Sequence, residues 1–337
     1  MVQWLMTGLV LGLLACAAPA RAEPVRLKLA YLFSDRTSLF IDLIKPFVDA
    51  VNSEAQGQLA IDVYASGVLG KAPAQQIRLV LDGTADIAFV VPGSTERFID
   101  NAVIELPGLF QGLREASVVF ARLMAADALR GYEQFHVVGA FATEPETIHM
   151  RSPVRFLDDL RGKRIRSSSP IEAAALSKLG MAPRIMPASE SADAISSGLV
   201  DGAAVAPALL QEFGIGRVTA YHYLLRTSAG PLVLLMNRAK FDSLPPGAQA
   251  VIRRHSGEWA ATRFADGYEK LNSRAIEQLR RDPRRSVVTP TTAEFDRAQV
   301  AFTSVIDDWA AGEGHRAALL RKAQAEIRRF RSERVVQ

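Results

Sequence analysis

The sequence predicts an α/β protein built as two similar lobes. Three observations carry this. Strand-like and helix-like segments alternate from residue 25 onward. One helix-to-strand unit recurs, Gly83–Pro92 (GTADIAFVVP) against Gly198–Pro207 (GLVDGAAVAP), with Gly, Asp, Ala, Val and Pro in common. No low-complexity linker interrupts the chain, so ordered segments must join the lobes.

Val25–Phe33 alternates loosely and reads as a strand. Ser38–Gln56 carries Leu39, Leu43, Phe47 and Val51 at helical spacing, with Gly57 as a cap. Leu59–Ala65 alternates as a half-buried strand does. Pro73–Asp82 reads as a helix stopped by Gly83, a residue suited to a left-handed helix end. Asp86–Val91 is an almost continuous apolar run, as in a strand buried on both faces of a sheet, and its aspartate can hold the turn into the strand.

The second half repeats the scheme. Thr147–Arg151 and Lys163–Arg166 read as strands, Phe156–Arg161 as a turn or short helix, and Ile171–Leu179 as a helix ending at Gly180. Ser189–Ser197 is helical, Gly198 stops it, and Asp201–Ala206 is an apolar strand. Gly230–Asn237 is a strongly apolar strand. Pro246–Lys270 and Asn272–Arg280 look helical with a break between them, and Ala293–Arg329 is helical with an interruption at Gly312–Gly314.

The first 22 residues have the form of an export signal. An apolar run from Leu5 to Ala18 is too short to span a bilayer, and Ala20-Arg21-Ala22 supplies a small-x-small cleavage site. Leu13-Leu14-Ala15-Cys16 has some likeness to a lipoprotein box that would anchor Cys16, but Leu14 fits it poorly and cleavage after Ala22 is the better reading. Cys16 is the only cysteine in the sequence, so a chain cut after Ala22 has no disulfide or thiolate chemistry. The expected location is the periplasm.

Lys and Arg number 40 against 36 Asp and Glu, a net charge of only +4. The arginine pairs Arg280-Arg281, Arg284-Arg285 and Arg328-Arg329 read as solvated helix faces, since few aromatic residues interleave for base stacking. No nucleic-acid partner is expected.

No catalytic motif stands out. His136, His149, His222, His255 and His315 are scattered, with no pair at i, i+4, and there is no H-E-x-x-H, G-x-S-x-G or Walker loop. Gly214-Ile215-Gly216 lacks the third glycine and preceding strand of a dinucleotide fingerprint. An exported lyase or hydrolase would need acid and base groups assembled from distant residues. No enzyme activity, cofactor or metal is expected.

Several segments together carry a resemblance: Gly57–Gly70 (GQLAIDVYASGVLG), Leu81–Val90 (LDGTADIAFV), Glu105–Phe110 (ELPGLF), Phe156–Arg166 (FLDDLRGKRIR) and Ser196–Gly202 (SSGLVDG). Their order and spacing resemble the solute-binding proteins of TRAP transporters, the tripartite ATP-independent periplasmic type, of the dicarboxylate-binding (DctP) kind. The resemblance implies a two-lobed periplasmic binding protein, class II-like, with a ligand cleft between lobes that are joined by strands and a long helix. It places lobe I at residues 25–144 plus about 231–270, and lobe II at 145–230 plus about 271–337. It implies a protein that closes on a small organic acid and delivers it to small and large membrane subunits, acting as a monomer. A sensor that signals to a receptor would use the same closing cleft.

By the same resemblance, Arg166, ending K-R-I-R, matches the family's carboxylate-binding arginine. A planar, permanently charged guanidinium suits that task. A second ligand arginine, common in the family about 20 residues earlier, is absent; the stretch Ala142–Ile148 (ATEPETI) places Glu146 there. The Asn often found shortly after G-x-V-D-G is replaced by Ala203–Ala206. A two-arginine dicarboxylate grip is therefore not expected, and Glu144 or Glu146 could meet an amine or hydroxyl on the ligand. Loop residues after the strands complete the expected cleft: Phe33, Ser34, Ser94, Glu96 and Phe98 from the first lobe, Ser168 and Phe213 from the second. The three phenylalanines could stack on an aromatic or apolar ligand body. The expected ligand is a monocarboxylate, aromatic or amine-bearing.

Overall fold

The computed structural model describes residues 23–94, 96–312 and 314–335. The export signal, its cleavage after Ala22 and Cys16 lie outside the described residues.

The chain forms two sheets with helices packed on their faces. The first contains β1 (Val25–Ala30), β2 (Leu59–Tyr64), β3 (Ile87–Val90) and β4 (Phe135–Ala142), joined by α1 (Lys45–Glu54), α2 (Gln75–Leu81) and α3 (Leu113–Ala125). The chain then crosses to the second sheet. It lays down β5 (Thr147–Met150), β6 (Arg164–Ser167), α4 (Pro170–Lys178), β7 (Ala182–Ile185), α5 (Ser191–Ser196), β8 (Gly202–Val205) and β9 (Tyr221–Tyr223). It returns to the first sheet as β10 (Pro231–Asn237). A 24-residue helix, α6 (Glu258–Arg281), leads back to the second sheet at β11 (Ser286–Val288). Two helices, α7 (Thr292–Ala310) and α8 (Gly314–Val335), complete the described chain.

The two sheets share one plan. Their orders are β2-β1-β3-β10-β4 and, read from the other edge, β7-β6-β8-β5-β9-β11. In each, one antiparallel strand donated by the other half of the sequence (β10, β5) is wedged between parallel ones. The lobes are thus discontinuous and exchange a strand.

The recurring sequence unit falls on equivalent strands, β3 and β8, and its aspartates do identical work. Asp86 donates its backbone N–H to the Lys28 carbonyl (2.9 Å) and accepts the Lys28 N–H on its carboxylate (2.8 Å). Asp201 does the same with Arg164, at 2.7 and 2.9 Å. Each carboxylate thereby pins the register of the strand beside it. The preceding glycines, Gly83 and Gly198, sit at φ 72° and 76°, the left-handed helix end expected of them. At the head of β8, a side chain on Gly202 would collide with the His149 carbonyl and the Met150 sulfur, so β5 packs against β8 only because residue 202 is glycine.

Leu27, Leu29, Ile87, Phe89, Val90, Phe141, Leu234 and Met236 form the first core. Ile148, Ile165, Leu176 and Tyr223 anchor one side of the second lobe; Ile195, Val205 and Ile215 anchor the other.

Two expectations are revised. The break in the long helical stretch falls at residues 255–257, not between 270 and 272. The helix Pro246–Arg254 ends there, Gly257 takes φ 64°, and α6 then runs unbroken. Asn272 does not stop it, because its side chain is buried and accepts the Ala208 N–H. Assignment of residues 271–337 to the second lobe also changes. α7 packs there through Ala298, Phe302 and Val305, but α8 turns back and buries Leu319, Leu320, Ala323 and Ile327 in the first core. Arg331 on Glu115 (2.6 Å) and Arg122 on Glu333 (2.6 Å) fasten it.

Candidate functional site

The strand directions decide where a site can be. β1 to β4 end, and β10 begins, at one edge of the first sheet; β6 to β9 end, and β5 begins, at one edge of the second. Both crossovers, 143–146 and 224–230, join those edges. Open α/β sheets bind ligands outside the carboxyl ends of their strands, and here two such edges face one gap.

The crossovers are stitched together. Glu146 N–H donates to the Ser228 carbonyl (2.8 Å), Thr227 N–H to the Glu146 carbonyl (2.9 Å), and Thr143 N–H to the Gly230 carbonyl (2.8 Å). Glu146 is therefore fixed in the hinge rather than hung from a mobile loop.

Arg166 rises from β6 into the same place. It is buried, with Nε donating to the Met186 carbonyl (3.0 Å) and Nη1 to the Ala204 carbonyl (2.8 Å). Those two bonds hold the guanidinium plane and leave Nη2 without a partner among the described residues. Glu146 Oε2 lies 3.7 Å from Nη1, too far for a hydrogen bond. It is buried and has no partner. Burial pushes the Glu146 carboxyl well above its ordinary range, with the Glu172 charge adding to the effect and Arg166 opposing it. Arg166 and Glu146 come together as a loose, buried pair, not a closed salt bridge.

Glu172 is the carboxylate that is satisfied. It accepts from Ser168 N–H (2.9 Å), Ser168 Oγ (3.0 Å), Ser167 Oγ (3.3 Å) and Thr227 Oγ1 (2.8 Å). Glu105, from the E-L-P-G-L-F segment of the first lobe, reaches Ser169 of the second, and burial lifts it to about 7. Glu144 is half-buried and spends its charge on Arg226 at 3.6 Å.

The aromatic side of the gap spans both lobes. Phe33 and Phe213 meet edge-to-face at 5.7 Å. Phe33 also leans on Tyr31 (5.7 Å) and Phe89 (6.3 Å). Tyr31 and Tyr268, buried on β1's end and on α6, each carry a hydroxyl with no hydrogen-bond partner. Tyr268 feels the charges of Glu146, Glu144 and Glu212. Buried polar atoms without partners are rare in native proteins; Glu146 Oε2, 3.7 Å from Arg166 Nη1, is one, and the Tyr31 and Tyr268 hydroxyls are two more.

The remaining residues expected from the sequence divide. Ser34 caps the turn after β1, accepting from Arg36 N–H (3.2 Å) and, through its carbonyl, from Thr37 Oγ1 (2.8 Å). Ser168 belongs to the cluster but its hydroxyl proton is committed to Glu172. Glu96 is exposed, and the Ser94 side chain lies outside the described residues. Phe98 is corrected to core. It is 2% exposed and stacks on Tyr132 at 4.2 Å and near Phe135. Phe135 starts β4, about 23 Å from the cleft end of that strand. A chain turn through 96–101 carries Phe98 back along the sheet, which strand-end counting did not foresee. Glu172, Glu105, Tyr31 and Tyr268 were missed; on sequence alone each is an ordinary cap, loop or helix-stripe residue.

A cavity of about 420 Å³ opens at that far end of β4, among Met124, Leu129, Tyr132 and Phe135. Its arginines are engaged, Arg130 by Asp100 (2.7 Å) and Arg238 by the Glu133 and Phe135 carbonyls. Among the described residues no group of His, Cys, Asp and Glu could hold a metal, and no helix is long and apolar enough to cross a membrane.

Comparison with known proteins agrees with this fold. Residues 29–312 match the family model of the bacterial extracellular solute-binding proteins, family 7. A solute-binding protein of Sulfitobacter sp. (strain NAS-14.1) is 26% identical over 254 residues, covering 74% of this chain and 76% of its own. A TRAP solute-binding protein from a marine metagenome, solved with 3-hydroxybenzoate, superposes with a TM-score of 0.84 at 23% identity, covering 92% of this chain and 99% of its own. One from Rhodoferax ferrireducens T118, solved with benzoate, gives 0.84 at 22% identity over 93% of this chain and 100% of its own.

Proposed function

The chain belongs to the bacterial extracellular solute-binding proteins of family 7, the solute-binding proteins of TRAP transporters, and from that membership we propose how its own cleft works. The protein binds a small monocarboxylate with an apolar, aromatic body. Arg166 grips the carboxylate through Nη2 and the free face of Nη1. Phe33 and Phe213 close over the ring from the two lobes. The complex then presents the ligand to the small and large membrane subunits outside the cytoplasm, after removal of the leader at Ala22.

The observation that carries this reading is the fixed, buried Arg166. Two backbone carbonyls orient it, and among the described residues no carboxylate reaches hydrogen-bonding distance. A buried guanidinium short of an anion is a carboxylate site. Among the described residues Arg166 is the one buried arginine, which favours one carboxylate over two. The aromatic acids in the two structural relatives fit the same chemistry.

A thermal-shift screen over mono- and dicarboxylates, aromatic acids, amino acids and amines tests the reading. A ligand at 100 times its Kd stabilises by about 2.7 kcal/mol. The largest shift is expected from an aromatic monocarboxylate; a dicarboxylate or a simple amine in that place would contradict it.

A further inference from the structure

Glu146 has no role in gripping a bare carboxylate, yet it is built in with care. Its backbone ties its own crossover to the other, its side chain is buried, and its Oε2 is an orphan 3.7 Å from the guanidinium that the ligand would occupy. Ser168 and Thr227 donate to Glu172 and Arg166 Nη1 donates to Ala204, while Glu172 and Ser168 stand close enough to act on the Glu146 carboxyl. Oε2 itself makes no hydrogen bond, and a ligand group is placed to complete it.

The position fixes where on the ligand that partner lies. A carboxylate on Arg166 sits about 2.8 Å from the guanidinium nitrogens. Glu146 Oε2 is 3.7 Å from Nη1, so the ligand group nearest to it is one attached next to the carboxylate. A hydroxyl farther away, on the ring of an aromatic acid, is out of range. We propose that the cleft is built for 2-hydroxy carboxylates with an apolar body, the carboxylate on Arg166 and the 2-hydroxyl on Glu146 Oε2.

A hydroxyl suits this place better than an ammonium. Glu146 sits beside the charged, four-times-bonded Glu172 in a buried site, which favours its neutral form. A neutral carboxyl and a hydroxyl satisfy each other with no charge created. An ammonium would need Glu146 ionised against Glu172.

This inference rests on the carboxylate reading of Arg166, and the test separates the two. Calorimetric Kd values are measured on the wild-type protein for benzoate, phenylacetate, 2-phenylglycine and each enantiomer of mandelate, then repeated on Glu146→Leu. One mandelate enantiomer is expected to bind at least tenfold more tightly than phenylacetate. In Glu146→Leu that preference should fall below threefold while phenylacetate binding is kept. Phenylacetate equal to mandelate, or phenylglycine tighter than both, overturns the inference and leaves Arg166 as a carboxylate site. A preference that survives Glu146→Leu overturns the role of Glu146. No binding by any of these acids overturns both readings. The wild-type comparison stands alone if the variant does not fold.

Discussion

Phe33 and Phe213 meet edge-to-face at 5.7 Å across the gap between the two lobes. One follows the first strand of the first sheet and the other follows the repeated strand of the second. The contact joins the two lobes at the mouth of the gap. Beside it, burial pushes the Glu212 carboxyl up, with the Leu39 backbone opposing the shift.

If the two rings enclose an aromatic ligand, removing one should be selective. Phe213→Ala is expected to weaken an aromatic acid by about tenfold, since an aromatic contact contributes about 0.5–1.5 kcal/mol beyond its buried area. A short aliphatic acid should lose much less. Calorimetry with benzoate and propionate on both proteins checks this; equal losses would show that Phe213 acts only on closure.

Glu105 links the lobes with a signature in pH. Its ordinary value is 4.5 and burial lifts it to about 7 in the folded protein. The raised value means that the unfolded chain releases this proton first. The neutral carboxyl therefore favours the fold fully below pH 4.5, and that advantage is lost as pH rises to about 7, at a cost on the order of 3 kcal/mol. Glu105→Gln removes the loss. Its melting temperature relative to wild type should rise between pH 5 and pH 8; a constant difference would contradict the burial of an uncharged Glu105.

The sequence disclosed the two-lobed plan because the plan is written in local terms. Gly83 and Gly198 end helices, and Asp86 and Asp201 hold neighbouring strands, so each repeat carries its own geometry. Arg166 drew notice through its motif and Glu146 through standing where a second arginine is missing; the structure buries both, 3.7 Å apart. Glu172, Tyr31 and Tyr268 were not legible, because what sets them apart is a hydrogen bond made or unmade by residues far along the chain. Phe98 misled for the reverse reason: its distance from a strand end is short in sequence and long in space. The placement of α8 was hidden because an amphipathic helix does not name the surface it covers.

Arg122 is the main fastener of α8. It is 9% exposed and lies 2.8 Å from Glu258, 2.6 Å from Glu333 and 3.6 Å from Glu326. Arg122→Ala leaves these carboxylates facing one another without their cation and should loosen α8. Hydrogen exchange should quicken over 314–335, with ligand Kd unchanged. A lower Kd or unaltered exchange would show that α8 is held otherwise.

Asp201 should matter more than its exposure suggests, because it fixes the register of the strand bearing Arg166. Its carboxylate binds both the Arg164 N–H (2.9 Å) and guanidinium (2.7 Å). Asp201→Ala should lower stability by about 1–3 kcal/mol and weaken carboxylate binding through misplacement of Arg166. Asp86→Ala, the equivalent change in the first sheet, should lower stability alone. Titration calorimetry on the two variants separates the effects; equal losses of affinity would deny that the register of β6 positions Arg166.

The most direct measurement is calorimetry of an aromatic monocarboxylate against wild type and Arg166→Ala, with melting curves of both. The account predicts one-to-one binding by the wild type, a loss of at least 100-fold in the variant, and a largely retained melting profile. Unchanged affinity in a folded Arg166→Ala protein would contradict it.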